Sequence, residues 1–155
     1  MAEIGIAVGS VAPAFTLKDQ NEKDVRPADF AGRKVVLAFH PLAWTSVCTT
    51  QMQDLEKNLE AFRAKGAVAL GLSVDSVPCK TAWAKAIGVS ATPILADFWP
   101  HGGVAAAYGI FRERNGFSER AVFIIDAAGK VAWKKVYPIR EVPDIGEILA
   151  AVDTV

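Results

Sequence analysis

The segment Pro41-Leu-Ala-Trp-Thr45-Ser-Val-Cys48 lies between an apolar run and a helical pattern, which puts a thiol in the first turn of a helix. The unpaired N–H groups there, with the positive end of the helix dipole, favour a thiolate. Thr45 stands three residues earlier, near enough in a helical start for its hydroxyl to share the sulfur's side. Ionisation alone has a bounded effect. An unperturbed thiol near 8.5 is about 3% ionised at pH 7, so complete ionisation multiplies the thiolate only about thirtyfold. A less basic thiolate is also a weaker nucleophile. Fast thiol chemistry therefore needs oriented donors around the sulfur.

The elements that position this thiol are legible in the hydrophobic pattern. Lys34 to His40 is a continuous apolar, β-branched run stopped by Pro41, as expected for a central strand buried on both faces. From Cys48 to Ala64, Met52, Leu55, Leu59 and Phe62 recur three or four apart, predicting one helix closed by Gly66. Ala67 to Val74 is a second buried strand, so strand, helix and strand form a right-handed βαβ crossover with parallel strands. The segments Pro41 to Cys48 and Asp75 to Cys79 then leave the same sheet edge. A shorter helix runs from Pro78 to Ile87, with Asp75 or Ser76 as N-cap and Gly88 at its end.

The remaining pattern completes one α/β domain over residues 1–155. Extended pieces around Phe15 to Leu17 and Asp24 to Arg26 flank the polar turn Lys18 to Asn21, predicting an N-terminal β-hairpin. Arg120 to Asp126 and Lys130 to Tyr137 flank Ala-Ala-Gly129 as an antiparallel hairpin, and Asp144 to Val152 is a closing helix. The expected class is a central mixed β-sheet flanked by helices.

Composition narrows the function. The 155 residues are 52% hydrophobic and 22% charged, an ordinary globular balance. Seventeen basic residues offset seventeen acidic ones, so no surplus positive field argues for nucleic acid or an anionic membrane. A domain of this size buries roughly two-thirds of its unfolded surface, so it needs no stapling by disulfides or metal. Two cysteines and two histidines without short paired spacing give no structural zinc site. The start lacks a basic stretch followed by an apolar run, and no 18 apolar residues are consecutive, so the chain is read as cytoplasmic and not membrane-bound.

Other candidates have plainer readings beside the chemical ones. His40 adjoins the thiol segment and could serve Cys48 as a base, but it ends a buried strand and is read as a hydrogen-bonded structural residue. His101 is expected to help start a helix from Gly102 to Tyr108. Trp44, Trp83, Trp99 and Trp133 are read as core and interface packing, with Leu42 and Trp44 at an apolar entrance or a dimer contact.

Pro41, Thr45 and Cys48 fill the spacing Pro, three residues, Thr or Ser, two residues, Cys, and here the sequence resembles the peroxiredoxins. The resemblance extends to Gly9 with Ala12 to Leu17, Asp75-Ser76, Trp83, and Arg120 opening a Phe-Ile-Ile-Asp strand. Ala96 to Gly102 and Tyr108-Gly109 look most like the alkyl hydroperoxide reductase E type. The resemblance implies a thioredoxin-like fold and a cofactor-free thiol peroxidase. Cys48 would attack a hydroperoxide and become a sulfenic acid. Thr45 would orient peroxide and sulfur, Arg120 would stabilise the thiolate and the moving charge, and Pro41 would shield it, with the Val47 and Cys48 N–H groups as further donors.

Cys79, 31 residues after Cys48, is either the resolving thiol of an intramolecular disulfide or an inert buried residue. Both cysteines open helices, so a disulfide would require the first turns to unwind. The expected partners are a hydroperoxide, an external thiol reductant such as thioredoxin or a glutaredoxin-like protein, and a second copy of the chain in a homodimer. A second class of function remains, a peroxide-sensing switch or partner protein using the same oxidation. A thioredoxin-type reductase is disfavoured, because residues 48 to 51 read Cys-Thr-Thr-Gln without a second cysteine.

Overall fold

The computed structural model describes residues 3–155. Its centre is a five-stranded mixed sheet in the order β5-β4-β3-β8-β9. β1 (Leu17–Lys18) and β2 (Asp24–Val25) form a small N-terminal antiparallel hairpin, followed by β3 (Lys34–Phe39) in the middle of the main sheet. α1 (Ser46–Lys57) and α2 (Leu59–Ala64) lead to β4 (Ala67–Ser73), which pairs with β3 in parallel. α3 (Val77–Ile87) leads to β5 (Ile94–Ala96), also parallel. α4 (Gly103–Ala107) and the hairpin β6 (Phe111–Arg112) and β7 (Phe117–Ser118) precede the antiparallel pair β8 (Arg120–Ile125) and β9 (Val131–Tyr137); α5 (Ile145–Asp153) closes the chain. This is an α/β architecture, a mixed sheet with helices packed on both faces.

The continuous apolar run of β3 has the expected cause, because both sheet faces are covered. Val36 and Ala38 pack with Met52 and Leu55 of α1, Trp83 of α3 and Ile148 and Val152 of α5. Val35, Leu37 and Phe39 point the other way, toward Val104, Tyr108 and Phe123. Alternation along one strand therefore feeds two cores.

Two local expectations need correction. The helix predicted over 48–64 is two helices meeting at Asn58, whose side chain donates to the Asp54 carbonyl at 2.8 Å and competes with the regular backbone pattern. His101 does not start α4; its Nε2 lies 2.7 Å from the Gly116 carbonyl. The Asp97 carboxylate instead accepts from the N–H groups of Val104 and Ala105. Among the tryptophans, Trp83 is fully buried in the core and Trp133 packs at its border, whereas Trp44 and Trp99 face outward. Among the described residues, no helix is long and apolar enough to cross a membrane.

Candidate functional site

Parallel pairing decides where the chemistry collects. The β3–β4 register runs from Lys34↔Ala67 to Phe39↔Leu72, so both strands end at one edge and release the Pro41–Thr45 and Val74–Ser76 loops side by side. The loops are tied together where the Ala43 N–H donates to Asp75 Oδ2 at 2.8 Å. Trp44 holds φ at 70°, a left-handed conformation that a bulky residue rarely adopts and that turns the chain sharply into α1.

Thr45 occupies the N-cap of α1 in extended conformation, yet its side chain does not cap the helix. The hydroxyl donates to the Leu42 carbonyl at 2.8 Å, and its lone pairs face no described donor. The first-turn N–H groups of α1 are thus left without a side-chain acceptor, the arrangement by which helix starts hold anionic oxygens.

Cys48 is the third residue of α1 and is fully buried. Because β8 runs antiparallel to β3 with Phe39 opposite Ala121, Arg120 falls just past the β3 end, beside the same edge. Its Nη1 donates to Cys48 Sγ at 3.3 Å and to Gln51 Oε1 at 2.7 Å, while Nε donates to the Ile139 carbonyl at 2.9 Å. Arg120 is 2% exposed and forms no ion pair with a carboxylate among the described residues. The guanidinium is thus satisfied by a neutral amide oxygen, a backbone carbonyl and the Cys48 sulfur. Gln51 was not among the expected residues. Its place three residues after Cys48, one helical turn on, is the signal that could have found it. Its Nε2 is a buried donor with no partner among the described residues.

Cys79 is the third residue of α3, with its N–H donating to the Ser76 cap at 3.3 Å and its thiol to Asp75 Oδ1 at 3.8 Å. Burial and then the Asp75 charge push this thiol upward, against smaller opposing contributions from the Trp44 indole N–H and the Lys80 charge. Cys79 packs at the border of the same apolar cluster that contains Cys48.

Behind the two loops lies a polar network with no sequence signal, since a lysine in a helical pattern reads as solvent-facing. Lys80 is fully buried; its Nζ donates to the Ser73 hydroxyl and lies 3.1 Å from His40 Nε2, over the Trp83 ring at 5.5 Å. Burial lowers its pKa to about 7, with the Asp75 charge opposing. His40 is held well below the usual imidazole range by burial and then by the Lys80 charge, and its Nδ1 sits 3.4 Å from the Ala38 carbonyl. Its contacts are those of a structural residue. A cavity of about 670 Å³ lined by Phe15, Phe30, Val35 and Ile125 lies at the opposite end of β3 and includes none of the candidate residues.

The sequence profile of the AhpC/TSA family matches residues 8–134. Alkyl hydroperoxide reductase E of Mycobacterium tuberculosis is 39% identical over 138 residues, 88% of this chain and 90% of the relative. Peroxiredoxin 2 of Thermoplasma acidophilum is 35% identical over 150 residues, 94% of this chain and 74% of the relative. Among solved structures, the reduced 2-Cys peroxiredoxin of Plasmodium vivax superposes with a TM-score of 0.84 at 30% identity, covering 94% of this chain and 80% of that one. AhpC of Enterococcus faecalis reaches 0.87 at 24% identity, covering 95% and 90%, a likeness of fold.

Proposed function

Because the chain belongs to the AhpC/TSA family and is a thiol-dependent peroxidase of the peroxiredoxin kind, we propose that Cys48 is the sulfur that attacks the hydroperoxide. The reading is carried by one observation, the buried Arg120 guanidinium that has no carboxylate partner among the described residues and donates to Cys48 Sγ at 3.3 Å. The Cys48 thiolate attacks the terminal peroxide oxygen, the O–O bond breaks, and the departing alkoxide or hydroxide leaves as alcohol or water after protonation. Sulfur gains the oxygen and becomes a sulfenic acid.

The surrounding groups divide the work of orienting this displacement. Thr45 has committed its hydrogen to Leu42, so its oxygen is free to accept the peroxide O–H. The Val47 and Cys48 N–H groups and Arg120 face the oxygens on which charge accumulates. Pro41, itself buried, keeps water from the sulfur.

Cys79 then resolves the sulfenic acid as an intramolecular disulfide, which an external dithiol such as thioredoxin or a glutaredoxin-like protein reduces in the cytoplasm. Support comes from the shared sheet edge and the shared apolar cluster. A homodimer is supported by Leu42, Trp44, Phe98 and Trp99. These are exposed apolar side chains on loops that follow parallel strands and so lie at one edge.

Stopped-flow consumption of hydrogen peroxide or an alkyl hydroperoxide tests the reading. Cys48→Ser is expected to abolish turnover with a thiol reductant; retained turnover rejects Cys48 as the nucleophile. Many turnovers per chain mark a peroxidase, whereas a single stable oxidation with altered assembly marks a sensor. Peptide mapping after peroxide treatment is expected to find a linkage between residues 48 and 79, and finding free Cys79 beside overoxidised Cys48 rejects resolution by Cys79.

A further inference from the structure

The Asp75 carboxylate divides its two oxygens between two tasks. Oδ2 accepts from the Ala43 N–H at 2.8 Å and from the Ser73 hydroxyl, which itself accepts from Lys80 Nζ. Oδ1 has one hydrogen-bond partner among the described residues, the Cys79 thiol at 3.8 Å. Two bonds on one oxygen fix the plane of the carboxylate and aim the other oxygen at the sulfur. We infer that Asp75 is the general base for disulfide closure, taking the proton of Cys79 as that sulfur attacks oxidised Cys48; the inference rests on Cys79 being the resolving thiol.

The need for a base follows from the surroundings of Cys79. Its thiol is half-buried, and burial together with the neighbouring negative charge disfavours the thiolate, so closure gains from a base in contact with the thiol. The charged and titratable groups around this pair are few. They are Lys80 from α3, His40 beyond it at the end of β3, Asp97 beyond β5, and Cys48 from α1. His40 and Lys80 are engaged with each other, and Asp97 with the N–H groups of Val104 and Ala105, which leaves Asp75 as the acceptor in contact.

The step balances without an added reagent. The S–H proton of Cys79 passes to Asp75 Oδ1 as the Cys79 sulfur displaces the sulfenic oxygen from Cys48 Sγ. The S–S bond forms, the S–O bond breaks, and the departing hydroxide takes the proton from Asp75 and leaves as water. Cys79 is oxidised, the sulfenic sulfur is reduced, and the carboxylate is regenerated.

Rapid mixing with hydrogen peroxide, followed by intrinsic fluorescence and by acid-quenched peptide mapping, separates sulfenic acid formation from closure. Asp75→Asn keeps an acceptor for Ala43 but supplies no base. It is expected to lower the ratio of the closure rate to the oxidation rate at least tenfold at pH 7, with the ratio recovering as pH approaches 10, where hydroxide can remove the thiol proton. Closure at the wild-type ratio, or a slowing that is equal at all pH values, overturns the proposal.

The unsubstituted protein gives a second measurement that holds should the variant fail to fold. A carboxylate base keeps closure flat across pH 6 to 8, and a tenfold rise per pH unit overturns its role. Absence of any linkage between residues 48 and 79 in the wild-type protein overturns Cys79 itself. Normal closure in Asp75→Asn overturns only the base, so the two failures are distinguishable.

Discussion

Arg120 Nη1 lies 3.3 Å from the sulfur of Cys48 although 72 residues separate the two in sequence, and the antiparallel β3–β8 register is what joins them. The same nitrogen also donates to Gln51, so the guanidinium is held from two sides before substrate arrives.

Arg120→Lys therefore tests geometry apart from charge. A lysine keeps the positive charge but cannot make the fork to Cys48, Gln51 and the Ile139 carbonyl together. The second-order rate with peroxide is expected to fall about a hundredfold or more, in the range seen when a transition-state donor is lost. An unchanged rate in stopped-flow would show that charge alone suffices.

Thr45→Val is expected to lower the same rate by about a hundredfold, whereas Thr45→Ser retains most of it. The melting midpoint should move little, because the Thr45 side chain makes no cap bond to α1 that could be lost. A fall in stability matching the fall in rate would assign Thr45 a structural role instead.

Glu56 supplies an acid-dependent tie between α1 and the turn before β5. Burial works to raise its pKa, but the N–H groups of Ala91, Ser90 and Thr92 outweigh that and hold it at about 2. The folded value lies below the unfolded one, so the stabilisation is complete above pH 4.5 and disappears as pH falls toward 2. Glu56→Gln should lose about 1–2 kcal/mol at pH 7, after allowance for solvent screening, and little at pH 2.5. Paired urea titrations at the two pH values measure the difference.

Lys80 has a consequence of the same sign at the alkaline end. Its folded pKa of about 7 lies below the ordinary 10.5, so between these values the unfolded chain binds the extra proton and stability rises with pH. The contribution is complete above 10.5 and lost as pH falls through 7. Thermal melts of Lys80→Met from pH 6.5 to 10 should show a flatter rise than the wild type; parallel curves would mean that Lys80 stays charged in the core.

How far the sequence leads depends on whether a feature is local. β3, β4 and the start of α1 are written in contiguous apolar runs and in Pro41, and the Gly88 that ends α3 in a left-handed turn is equally visible. Asn58 divides the helix because its own amide competes with the backbone, an effect that apolar spacing does not carry. β5 is only three residues long, too short for a period-two pattern, and is set by pairing with β4 and by the Gln20 side chain bonding to the Ile94 N–H. Cys48 and Thr45 are close in sequence, whereas Arg120 became meaningful only through a family motif. Gln51, Asp75 and Lys80 acquire their surroundings from tertiary packing, so their types alone say little.

The left-handed turn at Trp44 sets an asymmetry in rigidity. β3 is hydrogen-bonded on both flanks only through Phe39, and everything from Pro41 to Thr45 hangs outside that lattice, tethered chiefly by the Ala43 bond to Asp75 and the Thr45 bond to Leu42. Releasing those two tethers frays the rim and leaves each rung of the sheet in place. A rearrangement of the loop beside Cys48 would thus leave no record in the scaffold.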